Sequence, residues 1–219
     1  MFAKDPVQGK VKTRLEPCLG TDRILDLYRA FLADSLEKIC SVEGVDRFVE
    51  VASAPESGFF FAWENDPRIR RIGVQEGRDL GERMRRAFEK YFAAGYETVV
   101  LVGSDSPSLP RAYIEEAFRV SAGLTLGPST DGGYYLIGMA GSLAEVFDGV
   151  PWGTGVVLDE TLARVRTRGI GLHLLPVWYD VDQPADLRFL KTHLNAQALA
   201  GGEDEAPATR DVLFQIEQL

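Results

Sequence analysis

The sequence predicts an α/β fold organised around a parallel sheet, and three observations carry that prediction. Val99-Val100-Leu101-Val102 is a consecutive apolar run with a β-branched bias, as expected of a central parallel strand covered on both faces. Short strand-like runs alternate with longer stretches of helical period along the chain. The apolar run stops at Gly103 and enters the Pro-punctuated turn Ser104-Asp105-Ser106-Pro107-Ser108-Leu109-Pro110. In open α/β sheets ligands gather beyond the carboxyl ends of the strands. Asp105 therefore either stands at the lip of a site, with no side chain at Gly103 to block approach, or caps the helix that starts near Pro110.

At 219 residues and 45% hydrophobic content, the chain is one domain, or one domain with an extension, and holds a real core. We place the main domain at 1–200 and a C-terminal extension with a short helix at 201–219. No apolar run approaches the length of a membrane span. Cys18 and Cys40 make no metal or redox spacing, and free thiols suit a reducing cytoplasm. A net charge of −9 argues against nucleic acid as a partner.

Met1-Phe2-Ala3 reads as the end of a first strand that ordinarily runs longer, which predicts a start some residues upstream or a shortened strand. The loop after it carries Lys4, Lys10, Lys12 and Arg14 against Asp5, four cations to one anion in an acidic protein. A Pro- and Gly-containing loop with clustered cations suits a polyphosphate, and the contrast with the whole-chain charge favours that over a merely solvated loop. Thr21–Ile39 has helical period, with Thr21 or Asp22 as N-cap. Val45–Ala52 and Ile69–Val74 read as strands. Between them Phe59, Phe60, Phe61 and Trp63 predict a short amphipathic helix that buries aromatics. Gly77 and Gly81 frame the start of a helix running to about Ala94. Either those glycines let a ligand approach the backbone or the segment is a plain loop capped by Asp79; local pattern favours the cap.

A helix from Arg111 to Val120 turns Ile114, Ala117 and Phe118 inward, and Leu124–Leu126 is a short strand. Asp131-Gly132-Gly133 is a strong turn signal before the aromatic strand Tyr134–Gly138. It makes either a simple hairpin or a pocket wall on which a sugar or base lies. Pro151-Trp152-Gly153-Thr154 precedes a helix to about Arg168, with Thr154 as N-cap and Leu158, Leu162 and Val165 inward. Ile170–Pro176 is a strand. Asp180-Val181-Asp182-Gln183-Pro184 then enters a helix to Leu199. Asp180 and Asp182 are expected on opposite faces, so that one joins Asp105 on a divalent cation while Asp182 alternatively caps the helix. Ala200–Pro207 reads as a polar hinge and Thr209–Leu219 as a terminal helix. His173 and His193 have no catalytic spacing, and there is no nucleophile elbow, Walker loop or Rossmann glycine triplet.

Gly103-Ser104-Asp105-Ser106-Pro107 resembles the Asp-x-Pro turn of small nucleotidyltransferases such as molybdenum-cofactor guanylyltransferases and CMP-KDO synthetases. Asp180-Val181-Asp182-Gln183-Pro184-Ala185-Asp186-Leu187 is similar to their late acidic segment. Together with Phe2–Leu15, Asp79–Met84, Gly127–Gly138 and Pro151–Thr154, these motifs resemble one family of small bacterial GT-A-like nucleotide-diphospho-sugar transferases. Its members are often labelled glycosyltransferases and associated with radical-SAM or arsenosugar gene neighbourhoods. The resemblance runs to about residue 190. Two departures stand out: of a Gly-rich first loop only Gly9 remains, and Gln183 replaces the usual Thr.

The resemblance implies a three-layer α/β/α sandwich with a mostly parallel central sheet. It implies Mg²⁺ or Mn²⁺ held by Asp105 with Asp182 or Asp180, and a nucleotide-activated donor with a small-molecule acceptor. It places Lys4, Gly9, Lys10, Lys12, Arg14, Gly77, Gly81 and Ser104 on the nucleotide and its phosphates. Asp131, Gly132, Gly133, Tyr134, Trp152, Gly153 and Thr154 fall on the sugar or acceptor side. Asp105, Lys12 and Asp131 would be the catalytic residues, Asp131 as general base. Glycosyl transfer is the leading reaction, since a triphosphate asks for more backbone donors than this loop has. Nucleotidyl transfer and a non-catalytic nucleotide-binding domain are the alternatives.

Overall fold

The computed structural model describes residues 1–216. In chain order its elements are β1 (Phe2–Ala3), α1 (Thr21–Ser41), β2 (Phe48–Val51), α2 (Phe61–Glu64), β3 (Arg71–Val74), α3 (Leu80–Ala93) and β4 (Thr98–Val102). There follow α4 (Arg111–Arg119), β5 (Leu124–Pro128), β6 (Tyr134–Ala140), α5 (Val157–Arg168), β7 (Leu172–Leu174), α6 (Pro184–Leu199) and α7 (Pro207–Phe214). The chain forms two compact units. One contains residues 1–74, 104–111 and the chain from Asp180 onward; the other contains 75–103 and 112–179.

In the first unit β1, β2 and β3 pair in that order, all parallel. α1 is the core helix. Ile24, Leu27, Tyr28, Phe31 and Leu32 recur at helical spacing and are all buried, each large apolar side chain stabilising the fold by roughly 2 kcal/mol. Its N-cap is Gly20 rather than Thr21 or Asp22. Those two residues are engaged instead by Gln8 Nε2, which donates to Thr21 Oγ1 at 3.2 Å and Asp22 Oδ1 at 2.6 Å. Of the aromatics expected to be buried here only Phe60, the residue before α2, is buried; α2 itself buries no residue, and Phe61 is 59% exposed.

α7 starts two residues before the terminal helix expected over Thr209–Leu219 and overlaps it as far as Phe214; the last three residues of that span are outside the described ones. The Ala200–Pro207 segment is no loose hinge. The Glu205 carboxylate accepts from Arg111 N–H at 3.2 and 3.3 Å, and Lys38 Nζ stands 3.8 Å from it. Lys38 Nζ also donates to Pro107 O at 2.6 Å.

Burial pushes the Lys38 ammonium down from 10.5 to about 8, with Glu205 and Asp34 pulling the other way. Below pH 8 both the folded and unfolded chains carry the proton. Between about 8 and 10.5 the unfolded chain holds it more tightly, so stability rises with pH through that window. Urea melts should show the wild type gaining about 2 kcal/mol relative to Lys38→Met across it.

In the second unit the strand order is β4-β6-β5-β7. β4, expected as a central parallel strand, pairs antiparallel with β6, from Thr98↔Ala140 to Val102↔Leu136. Local apolarity announces burial but not the partner's direction. β5 and β6 form the hairpin through the Asp131-Gly132-Gly133 turn, and β5 pairs parallel with β7. Thr154 does not cap α5. The N-cap is Val156, and Thr154 Oγ1 donates to Pro151 O at 2.7 Å. Asp79 caps α3, accepting from Glu82 N–H at 2.9 Å. Phe118, Leu158 and Leu162 are half-buried, whereas Ile114, Ala117 and Val165 are buried. Among the described residues no helix is long and apolar enough to cross a membrane.

Candidate functional site

In the first unit the basic loop, the Asp105 turn and the entry to α6 meet at one ammonium group. Lys12 Nζ lies 2.6 Å from Asp105 Oδ1 and 2.7 Å from Asp182 Oδ1. The Lys12 side chain is 5% exposed, while the two carboxylates are 43% and 42% exposed. The cation is therefore the floor of the group and the carboxylates its open side. Burial works against the charge on Lys12, but Asp105 and Asp182 more than reverse that and raise its pKa. Asp182 is likewise opposed by burial, yet held below the usual carboxylate range by Lys12, with smaller help from Arg14 and Lys4.

Each part of the triad is fixed by local structure. Lys12 has φ 47° and ψ 35°, the one non-glycine residue with positive φ among those described. A left-handed lysine costs on the order of 1 kcal/mol and is worth noting at a functional position. The 3₁₀ turn Thr13–Leu15 follows, anchored by fully buried Leu15. Upstream, the buried Asp5 carboxylate accepts from the N–H groups of Glu56 (2.7 Å) and Ser57 (2.8 Å) and from Ser57 Oγ (2.6 Å). Asp5 is an anchor for the loop rather than a stray anion within it. Lys10 pairs with Glu56 at 2.7 Å on the surface, and Lys4 and Arg14 are exposed.

Val181 N–H donates to Asp105 O at 2.9 Å, which lays the late acidic segment against the Asp105 turn. α6 is started by a capping box of Gln183 and Asp186, with Pro184 in its first turn. Asp186 Oδ2 also accepts from Asp182 N–H at 3.1 Å. Because Gln183 and Asp186 do the capping, the Asp182 carboxylate is left for Lys12. Asp180 accepts instead from Ser106 Oγ. The two aspartates part company, but not by strand alternation: a two-residue step in an extended segment returns to the same face. The backbone over 180–183 is irregular, and that separates them. Ser104 is buried, 3.4 Å from Tyr28 Oη, whose pKa burial and then Asp105 push up to about 12. Tyr28 carries no local motif that would single it out in the sequence, and Asp5 and Ser106 lie within recognised motifs that do not reveal these contacts.

A divalent cation suits the Asp105–Asp182 pair. Both carboxylates already reach one positive centre and keep solvent-facing area. Among the described residues no group of three or more His, Cys, Asp or Glu is poised for a metal. Mg²⁺-type sites commonly use one or two carboxylates and fill the remaining positions with water and substrate phosphates.

The second unit gathers the other expected residues. Asp131 Oδ1 accepts from Gly133 N–H at 2.9 Å, Gly132 O accepts from Leu158 N–H at 2.8 Å, and a Cβ on Gly132 would lie 2.0 Å from Gly155 O. Tyr134 meets Trp152 edge-on with ring centroids 6.4 Å apart. Gly153 has φ +79°. The loop over 151–156 thus packs on the hairpin turn. The openness expected at Gly81 is taken by Trp152, since a Cβ there would lie 2.2 Å from Trp152 Nε1. Gly77 has φ +139°, with the Arg83 backbone 2.7 Å from a would-be Cβ. We expect Gly81→Ala to destabilise the fold by about 1–3 kcal/mol, read as a lower urea midpoint at unchanged slope.

The fold class is that of GT-A-like nucleotide-diphospho-sugar transferases and nucleotidyltransferases. The chain belongs to the DUF2064 family, uncharacterized proteins conserved in bacteria, whose pattern matches residues 35–154. It is 34% identical to a protein of Desulfovibrio desulfuricans G20 provisionally assigned as a nucleotide-diphospho-sugar transferase. That match has a TM-score of 0.86 and covers 98% of this chain and 92% of the other. At 15% identity and a TM-score of 0.50 it shares its fold with the mannosyltransferase PcManGT of Pyrobaculum calidifontis, solved with GDP-Man and Mn²⁺, covering 97% of this chain and 67% of that one. The inositol-1-phosphate CTP transferase of T. maritima shares the fold at 16% identity and a TM-score of 0.51, covering 92% and 97%. A search of curated proteins finds no match to the chain.

Proposed function

We propose that the chain is a metal-dependent transferase acting on a nucleotide-activated donor, and specifically that it transfers a glycosyl group from an NDP-sugar to a small acceptor. The observation that supports this most is the convergence of Asp105, Asp182 and Lys12 on one point in a fold whose relatives include nucleotide-sugar transferases. Asp105 and Asp182 hold Mg²⁺ or Mn²⁺; Asp180, turned to Ser106, does not. Bound there, the metal neutralises charge on the departing diphosphate.

The chain's own groups do the rest. Lys12, with Lys4 and Arg14 near Asp182, binds phosphate oxygens, and Lys10 joins them by exchanging its surface partner Glu56. Gly9, with φ +73°, lets the loop turn without a side chain beside the phosphates. Ser104, next to Asp105, belongs to the nucleotide side. Within the second unit, Tyr134, Trp152, Gly153 and Thr154 are the candidates for the sugar or acceptor side, and Asp131 would be the base for an acceptor hydroxyl bound there.

A thermal-shift panel of NDP-sugars and NTPs, each with and without Mn²⁺, tests the reading. Donor-specific, metal-dependent stabilisation that disappears in Asp105→Ala is the expected result. The product then separates the chemistries: a nucleoside diphosphate for glycosyl transfer, pyrophosphate for nucleotidyl transfer. A wild type shifted by no nucleotide sinks both.

A further inference from the structure

We propose that Lys12 keeps the metal position closed until donor phosphates arrive, so that metal and donor bind as a coupled pair. The inference rests on the reading of Asp105 and Asp182 as the metal-holding residues.

The Lys12 ammonium lies within hydrogen-bond distance of one oxygen from each carboxylate, at 2.6 and 2.7 Å. A divalent ion of Mg²⁺ type held by the same two carboxylates binds their oxygens at about 2.1 Å and so competes with the ammonium for the same negative charge. Three positive charges on two carboxylates repel one another at such distances in a half-buried site. The ammonium therefore weakens metal binding for as long as it stays between the carboxylates.

Lys12 does not leave readily for water. Its side chain is 5% exposed and its Nζ is 5.8 Å from the centre of the Phe31 ring. Its backbone sits between Val11, buried at 3%, and the turn anchored by Leu15. What can move is the flexible four-carbon stem, and what can draw it is a new anion close by. A donor diphosphate is such an anion, and it reaches the same loop. As the ammonium turns to the phosphates, both carboxylates are released to the metal. A divalent ion held by Asp105 and Asp182 would supply positive charge to the same phosphates. By reciprocity, whatever factor the phosphates add to metal affinity, the metal adds to phosphate affinity. An otherwise bare carboxylate pair would collect divalent cations without substrate; the lysine prevents that.

The test is Mn²⁺ titration of the full chain, followed by the electron paramagnetic resonance signal of free aqueous Mn²⁺. It is run alone and with inorganic pyrophosphate, with a pyrophosphate-only titration subtracted. The wild type should bind Mn²⁺ weakly by itself and at least about tenfold more tightly with pyrophosphate. Lys12→Met should bind Mn²⁺ alone at least about tenfold more tightly than the wild type, with the pyrophosphate effect reduced. Lys12→Gln, which keeps a donor for the carboxylates, serves if Lys12→Met does not fold. Metal affinity that is unchanged or weaker without the lysine charge overturns the inference. Adding Asp182→Asn to the Lys12 variant separates the two readings. Mn²⁺ binding that needs Asp182 but ignores Lys12 defeats only the coupling, whereas binding that survives the loss of Asp182 defeats the metal assignment itself.

Discussion

Asp105→Asn and Asp182→Asn should each lower donor turnover by about 10²-fold or more, while Asp180→Asn lowers it by less than about tenfold. The first two remove a negative charge from the pair proposed to hold the metal, and Lewis-acid stabilisation of a departing phosphate is worth several kcal/mol. Both substitutions leave an amide oxygen for Lys12, whose other carboxylate partner stays in place, so the fold should survive. Asp180 serves Ser106 Oγ, and an asparagine oxygen can accept that hydrogen bond at a cost of about 1 kcal/mol. Steady-state kinetics against Mn²⁺ concentration checks the ranking. The Asp105 and Asp182 variants should also need more metal for half-maximal rate. Equal losses at Asp180 and Asp182 would move the metal off Lys12's partners.

That ranking is one the sequence alone leaves open, and the reason is physical. Helix period is local, so α1 and α6 are legible to within two residues at each end. The Asp79 cap and the Asp131-Gly132-Gly133 turn are legible for the same reason, since each closes a hydrogen bond within three residues of itself. Strand direction is not local: β4 carries the apolar signature of a central strand yet runs antiparallel to β6, which lies some thirty residues downstream. The Lys12–Asp182 contact spans 170 positions and depends on a left-handed backbone at a lysine that no propensity anticipates. Gly81 shows the same gap from the other side. Its missing side chain is plain in the sequence, but only the packed structure shows Trp152 occupying the space.

The C-terminal segment is where local pattern says least, and there we expect the largest loss of stability. Asp34, in the middle of α1, is 4% exposed, and its carboxylate accepts from Ala208 N–H at 3.0 Å and Thr209 N–H at 2.8 Å. The residue at the N-cap of α7, Ala206, offers no side-chain cap, so a distant carboxylate does that work. Burial pushes the Asp34 carboxyl up in pKa, and the bonds from Thr209 and Ala208 oppose that, so part of what the bonds contribute is offset. Asp34→Ala still strands two amide donors beside a buried helix start. It should cost about 3 kcal/mol, a melting drop of about 10 °C for a chain of this size, with Asp34→Asn retaining part of the loss. The damage should reach the site as well. α7 follows directly on Glu205, which accepts from Arg111 N–H and faces Lys38, and Lys38 holds Pro107 O two residues beyond Asp105. If the tail braces the Asp105 turn, amide exchange over 104–111 speeds up in Asp34→Ala together with exchange over α7. Faster exchange confined to α7 would mean that the tail packs on α1 without bracing the turn.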